Sequence, residues 1–155
     1  MTIYFYKAEA AYGCFSNFSL HGIYLQGQYW PTVEHYYQAQ KFVGTPDVAM
    51  TAVIQLAPTP MKAAALGRDR DRCIRSDWEQ VKYPIMCQAV LTKFLCHPEI
   101  QGVLLATGEV ELVENSPTDY YWGCGADRTG QNQLGNILMG VRQEIRERLL
   151  LGCQP

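Results

Sequence analysis

A chain of 155 residues, 48% of them hydrophobic and with a net charge of −2, is long enough to bury a core and too apolar to be disordered. Neither charge sign forms a long run, so non-specific nucleic-acid binding is not advertised, although a local basic pocket stays open. No apolar stretch reaches the roughly 18 residues that cross a bilayer, and the opening Met-Thr-Ile-Tyr-Phe-Tyr-Lys lacks the regions of a signal peptide.

Six cysteines, at 14, 73, 87, 96, 124 and 153, and three histidines fall in no zinc or disulfide spacing. Reduced thiols in a cytoplasmic protein are expected, with no metal and no cofactor.

The β-branched and aromatic run at 3–6 predicts a first strand. The loop at 13–19 embeds Phe15 and Phe18 among turn formers, with Asn17 between them. Those rings serve as core anchors or flank a flat ligand, and Asn17 offers an amide to a ligand or stabilises the turn. Residues 23–30 read as a hairpin about Gln26-Gly27.

Thr32 is a good N-cap for a helix to about Val43. On it Glu34, Gln38 and Lys41 share one stripe, while Tyr36, Ala39, Phe42 and Val43 form the apolar face. A charged stripe of this kind usually reads as a solvated face. Glu34 and Lys41, seven residues apart, are too distant for a helix-surface ion pair, yet two long side chains can converge on a ligand. The first turn also favours the ionised form of Glu34.

Thr45-Pro46-Asp47 predicts a second helix to about Leu56, and Thr59-Pro60 a third that Gly67 ends. Arg68, Arg70, Arg72 and Arg75 alternate with aspartates in the next loop, either a solvated linker or a phosphate-holding segment. Ser76-Asp77-Trp78-Glu79 is a capping box for a helix to about Cys96, which Pro84 should kink or divide. A helix from His97-Pro98 closes at Gly108, a strand follows at 110–113, and a last helix at 134–150 carries the stripe Leu134, Ile137, Leu138, Val141, Ile145 and Leu149. Short strands, several helices and no βαβ alternation make the class α+β. No linker suggests a second domain.

Between the last strand and the last helix, residues 116–135 form a long loop in which Asp119, Tyr120, Tyr121 and Trp122 stand beside four glycines. Glycines admit close backbone approach and the aromatics supply flat walls. The loop is either functional or a structural segment pinned by a buried tryptophan.

Cleavage of a ribosyl C–N bond supplies a chemical reason to join these stretches. Positive charge builds at the anomeric carbon, where a carboxylate stabilises it, and a second group manages the water or the leaving nitrogen. Glu34 and Asp119 are the candidate carboxylates. Lys41 either acts as an ammonium on the leaving group or, as a desolvated amine, captures the opened sugar as a Schiff base. A Cys14 or Cys124 pair with His35 has no supporting pattern.

Six motifs stand in order along the chain: Tyr12-Gly13-Cys14-Phe15-Ser16-Asn17-Phe18, Trp30 to Phe42, Arg75-Ser76-Asp77-Trp78, Asp119 to Gly125, Gly130 to Gly135, and Leu138-Met139-Gly140-Val141-Arg142. Together they resemble the YbiA-like, or NADAR, family over nearly the whole chain. The resemblance implies a compact, predominantly helical single domain over 1–155 with a small antiparallel sheet, and a metal-independent N-glycosidase. It implies catalytic roles for Glu34, Lys41 and Asp119, with Asn17 and Phe18 nearby. Trp30, Trp78, Tyr121 and Trp122 would wall the pocket, and Arg68 or Arg75 would meet phosphate. Pro84 departs from the family's helix.

The expected substrate is a small phosphoribosyl compound, such as a phosphoribosylamino-pyrimidine intermediate of riboflavin biosynthesis. The alternatives are ADP-ribose on guanine in nucleic acid, or a module that binds ADP-ribose without cleaving it. No membrane partner is expected, and the sequence leaves the oligomeric state open.

Overall fold

The computed structural model describes residues 1–152. Its elements are β1 (Thr2–Phe5), a single 3-10 turn (Gly13–Phe15), β2 (Ile23–Leu25), β3 (Gln28–Trp30), α1 (Val33–Gln40), α2 (Met50–Gln55), α3 (Pro60–Gly67), α4 (Trp78–Cys96), α5 (Pro98–Ala106), β4 (Glu111–Glu114) and α6 (Gln133–Gly152). The class is α+β, as the sequence predicts. The backbone contacts group into two units, residues 20–93 and residues 1–19 with 94 onward.

In the unit of residues 20–93, β2 and β3 form the predicted antiparallel hairpin, Ile23 opposite Trp30. Gln26 and Gly27 take φ of 54° and 76°, the left-handed pair that a tight hairpin turn requires. The chain then enters α1, where Thr32 Oγ1 accepts the N–H of His35 as a side-chain cap. All eight residues of α1 are buried, and the helix packs against α2 and α3.

α2 starts at Met50, later than Thr45-Pro46 suggests. Thr45 Oγ1 donates to the carbonyl of Phe42 at 2.8 Å and accepts from the N–H of Asp47 at 3.2 Å, so it ties a turn instead of opening the helix. α3 begins as expected, with Thr59 capping and Pro60 in its first turn.

α4 runs through Pro84 without division. Both Pro84 and Gln80, whose carbonyl loses its helical donor, are exposed, so the unpaired carbonyl is not desolvated by the core. α4 begins at Trp78, so Asp77 precedes its first residue where the box would have Ser76, and the Asp77 carboxylate is turned towards Arg75.

In the other unit β1 pairs with β4 in parallel, Thr2 opposite Glu111 and Phe5 opposite Glu114. The expected antiparallel sheet is therefore one antiparallel and one parallel two-stranded ladder. α6 packs on β4 and buries Leu134, Ile137, Leu138, Val141 and Ile145, whereas Leu149 is 49% exposed and leaves the stripe. Phe5 meets Phe15 edge-on at 5.7 Å, and Phe15 meets Phe94 at 6.1 Å, so Phe15 takes the core-anchor role. The buried guanidinium of Arg142 donates to Thr107 Oγ1 and to the carbonyl of Val110, both at 2.8 Å, which fixes α6 to the turn before β4. Cysteines 14, 73, 87, 96 and 124 carry thiols without disulfides, and Cys153 lies outside the described residues.

Candidate active site

α1 carries the polar stripe, and the stripe is not solvated. Glu34 is 6% exposed and Gln38 2%, so the solvated-face reading fails. Their i, i+4 spacing places Gln38 Nε2 against Glu34 Oε1 at 2.7 Å. A carboxylate only accepts, which sets the orientation of the Gln38 amide. Val43, placed on the apolar face from sequence, is 41% exposed.

Lys41 sits at the C-terminal cap of α1. Its Nζ donates to the carbonyl of Gly67 at 3.2 Å and stands 5.8 Å from the ring centroids of both Tyr37 and Trp78. Those two rings meet at 5.1 Å and form an aromatic wall beside the amine. Burial lowers the Lys41 pKa from 10.5 to about 8; the Glu34 carboxylate opposes the shift, while Arg68 and Lys82 reinforce it. Roughly one Lys41 amine in ten is then neutral at pH 7, against fewer than about one in a thousand for an ordinary lysine.

His35, between these residues in sequence, faces elsewhere. Its ring bridges Thr32 Oγ1 at 2.8 Å and the carbonyl of Ala57 at 3.0 Å. Because a carbonyl only accepts, Nε2 carries the proton and Nδ1 accepts from the Thr32 hydroxyl. His35 is a packed structural histidine, and burial lowers its pKa.

The arginines of the 68–75 loop have different surroundings. Arg75 Nε and Nη2 donate to the two carboxylate oxygens of Asp77, at 2.6 and 3.0 Å. Arg72 pairs with Asp47 and Asp69. Arg68 is exposed and follows Gly67, the residue whose carbonyl holds Lys41. An open groove of about 540 Å³ runs between residues 43–46 and 73–77.

In the other unit the long loop is braced along its backbone. The N–H groups of Gln131, Gln133 and Leu134 donate to the carbonyls of Tyr120, Tyr121 and Trp122 at 2.8, 3.0 and 3.0 Å. Asp119 Oδ1 accepts from the N–H groups of Tyr121 and Trp122 at 2.9 and 2.7 Å, an Asx arrangement that commits one carboxylate oxygen to holding the turn. Trp122 is buried and meets Tyr121 edge-on at 4.6 Å. Asn17 is buried and Phe18 half-buried in the same unit.

Trp30 is 3% exposed and packs edge-on against Tyr36 at 5.5 Å, which makes it part of the core. The structure thus brings together Glu34, Lys41 and Trp78. It adds Tyr37, Gln38, Gly67 and Lys82, none of which sequence reasoning chose as site residues. The spacing of Gln38 from Glu34 was the available signal; nothing in sequence pointed to Gly67. Among the described residues no cluster of histidine, cysteine or carboxylate side chains is arranged to hold a metal, and no helix is long and apolar enough to cross a membrane.

The NADAR domain model matches residues 4–146. An N-glycosidase of Nostoc punctiforme is 62% identical over 151 residues, 97% of each chain. The N-glycosidase YbiA of Escherichia coli is 43% identical over 143 residues, covering 92% of this chain and 88% of that one. The chloroplastic riboflavin biosynthesis protein PYRR of Zea mays is 44% identical over 155 residues, 92% of this chain but 25% of its own. The NMR structure of E. coli YbiA superposes with a TM-score of 0.87 at 42% identity, over 96% of this chain and 87% of that one.

Proposed function

This chain belongs to the NADAR domain family and is an N-glycosidase, and from that premise we propose that it hydrolyses the C–N bond between a ribosyl phosphate and the amino group of a small nitrogenous base. We read residues 1–155 as one NADAR domain, since the family match runs through both contact units. Phosphoribosylamino-pyrimidines of riboflavin biosynthesis are the substrate class that best fits the Zea mays relative's name.

The observation that carries the reading is the half-buried Lys41 amine, tied to the carbonyl of Gly67 beside the Tyr37 and Trp78 rings and lowered to about 8. A lysine kept in that state serves chemistry better than stability, because desolvation of the charged form opposes folding. In the proposed reaction the C–N bond breaks with its electron pair moving to the base nitrogen, which takes up a proton. Glu34 stabilises the positive charge left on the sugar, and water supplies the hydroxyl at the anomeric carbon. Lys41 has two routes open: proton donation to the leaving nitrogen, or attack as a neutral amine to give a Schiff base that water then hydrolyses. Asp119 is proposed as a further carboxylate of the reaction, and Arg68 as the phosphate ligand. Asn17, Phe18, Tyr121 and Trp122 are proposed substrate contacts on the family resemblance.

ADP-ribosylated guanine in nucleic acid is less well supported. Of the four arginines in the 68–75 loop, Arg72 and Arg75 are already paired with aspartates, and net charge is −2, so phosphate-backbone attraction is weak. Incubation with a phosphoribosylamino-pyrimidine and, separately, with ADP-ribosylated guanosine tests the proposal by release of the base. Turnover of the pyrimidine substrate, lost in Glu34→Gln, is expected. Tight binding of ADP-ribose with turnover of neither substrate would establish a binding module instead.

A further inference from the structure

We infer that Gln38 is a positioning residue for the Glu34 carboxylate, retained in the core for catalysis at the expense of stability. The inference rests on the proposed role of Glu34 and goes beyond it. Gln38 is 2% exposed, and its Nε2 donates to Glu34 Oε1 at 2.7 Å. Its other polar atom, Oε1, is buried with no hydrogen-bond partner. A buried acceptor in that state destabilises the fold, so a side chain chosen for packing alone would be a leucine or methionine of similar volume.

The amide is also confined. A Cβ built on Gly67 would lie 2.1 Å from Gln38 Oε1 and 2.7 Å from its Cδ, so the oxygen rests directly on the α3 backbone. The same Gly67 accepts from Lys41 through its carbonyl. Gln38 therefore stands between the Glu34 carboxylate and the backbone segment that holds Lys41. Its oxygen lies against Gly67 and its nitrogen on Glu34. Glutamine suits this position because its terminal N–H lends a hydrogen bond to the carboxylate without adding a second charge next to Lys41.

The test compares Gln38→Met and Gln38→Glu with the full-length protein, using a phosphoribosylamino-pyrimidine as substrate and thermal unfolding as a second readout. Gln38→Met keeps the volume and removes the donor; its kcat is expected to fall about 10- to 100-fold with KM within about threefold, the loss of one charge-assisted hydrogen bond. Its effect on Tm is read in a Glu34→Leu background, where no buried carboxylate is left without its donor; there Gln38→Met should equal or exceed the Tm of Glu34→Leu alone. Gln38→Glu keeps the shape and places an acceptor against Glu34, and its kcat should fall at least as far. Unchanged kcat in Gln38→Met overturns the inference, and so does a lower Tm in the Glu34→Leu background, which would make Gln38 a structural residue. Failure of Gln38→Met to fold counts as the same negative result. The Tm comparison needs no turnover, so it decides the stability half even if the substrate proposal fails. Glu34→Gln tests that proposal separately: an active Glu34→Gln removes Glu34 from the mechanism, whereas an inactive Glu34→Gln beside a fully active Gln38→Met removes only the role given to Gln38.

Discussion

Arg75 and Asp77 form a two-pronged pair, Nε to Oδ1 at 2.6 Å and Nη2 to Oδ2 at 3.0 Å. That arrangement occupies the fork with which an arginine grips phosphate. Asp77 is held below the usual carboxylate range by the same contact, so it stays ionised and keeps the arginine engaged near neutral pH. Arg75 also donates its backbone N–H to the carbonyl of Lys41 at 2.8 Å, a bond that side-chain substitution leaves intact. Among the described residues Arg68 has no such carboxylate partner, and its charge reaches Lys41. Arg68→Ala is therefore expected to raise KM for a phosphorylated substrate about tenfold or more, and clearly more than Arg75→Ala does. Steady-state kinetics on both variants checks this, and the reverse order would return the phosphate role to Arg75.

Lys41 predicts two pH dependences with the same origin. If the neutral amine attacks the sugar, kcat rises with pH and reaches its half-maximum near 8, where burial has placed the Lys41 pKa. If the ammonium donates a proton, kcat falls through the same region. Borohydride during turnover traps a sugar on Lys41 only in the first case. Stability gives an independent reading. Between about 8 and the ordinary 10.5 the unfolded chain holds a proton on Lys41 that the folded protein has released, so stability rises with pH across that window. Tyr36, whose pKa burial raises, works in the opposite direction at the alkaline end. The Tm difference between wild type and Lys41→Met isolates the lysine; that difference should move in favour of the wild type from pH 8 to 10. A flat difference means the amine is not desolvated.

The sequence carried the caps and turns well and the long-range partners poorly. Thr32, Thr59 and the Gln26-Gly27 turn act through neighbours a few residues away, so their roles are legible from the local order of residues. The pairing of Ile3 with Leu112 joins segments more than a hundred residues apart, and neither strand's composition states its partner or direction. The same limit explains the α1 stripe. Spacing placed Glu34, Gln38 and Lys41 on one side of the helix, but whether that side meets water depends on α3, whose Gly67 lies against Gln38. Leu149 fails in the opposite sense: it continues the period of α6 beyond the reach of the core. Arg75 looked as good a phosphate ligand as Arg68 until Asp77 was seen to face it.

Asp119 separates turn geometry from charge. Its Oδ1 accepts from two backbone N–H groups, a job that an amide oxygen can also do. Asp119→Asn is expected to keep the unfolding free energy within about 1 kcal/mol of wild type while lowering kcat by more than about tenfold. Asp119→Ala loses both N–H partners and should cost about 1–2 kcal/mol. Denaturant unfolding and kinetics on the pair decide the matter. An active, stable Asp119→Asn would leave the residue with the turn alone.

Glycine 67 allows a comparison in which one kind of substitution has opposite signs at two sites. A Cβ there would fall 2.1 Å from Gln38 Oε1 and 2.7 Å from Gln38 Cβ. The second contact involves an atom fixed to α1, so rotating the amide cannot relieve it, and α1 and α3 must move apart. Gly67→Ala is expected to destabilise by about 1–3 kcal/mol, despite the better helix propensity of alanine. It should also lower activity, since the shifted carbonyl holds Lys41. Gly102, inside α5, has nothing within 4 Å of its would-be Cβ. Gly102→Ala gains only the propensity term, roughly 0.5–1 kcal/mol of stability, with activity unchanged. Paired urea titrations measure both. Equal shifts at the two positions would mean that α1 and α3 are not packed as closely as the Gln38–Gly67 contact requires.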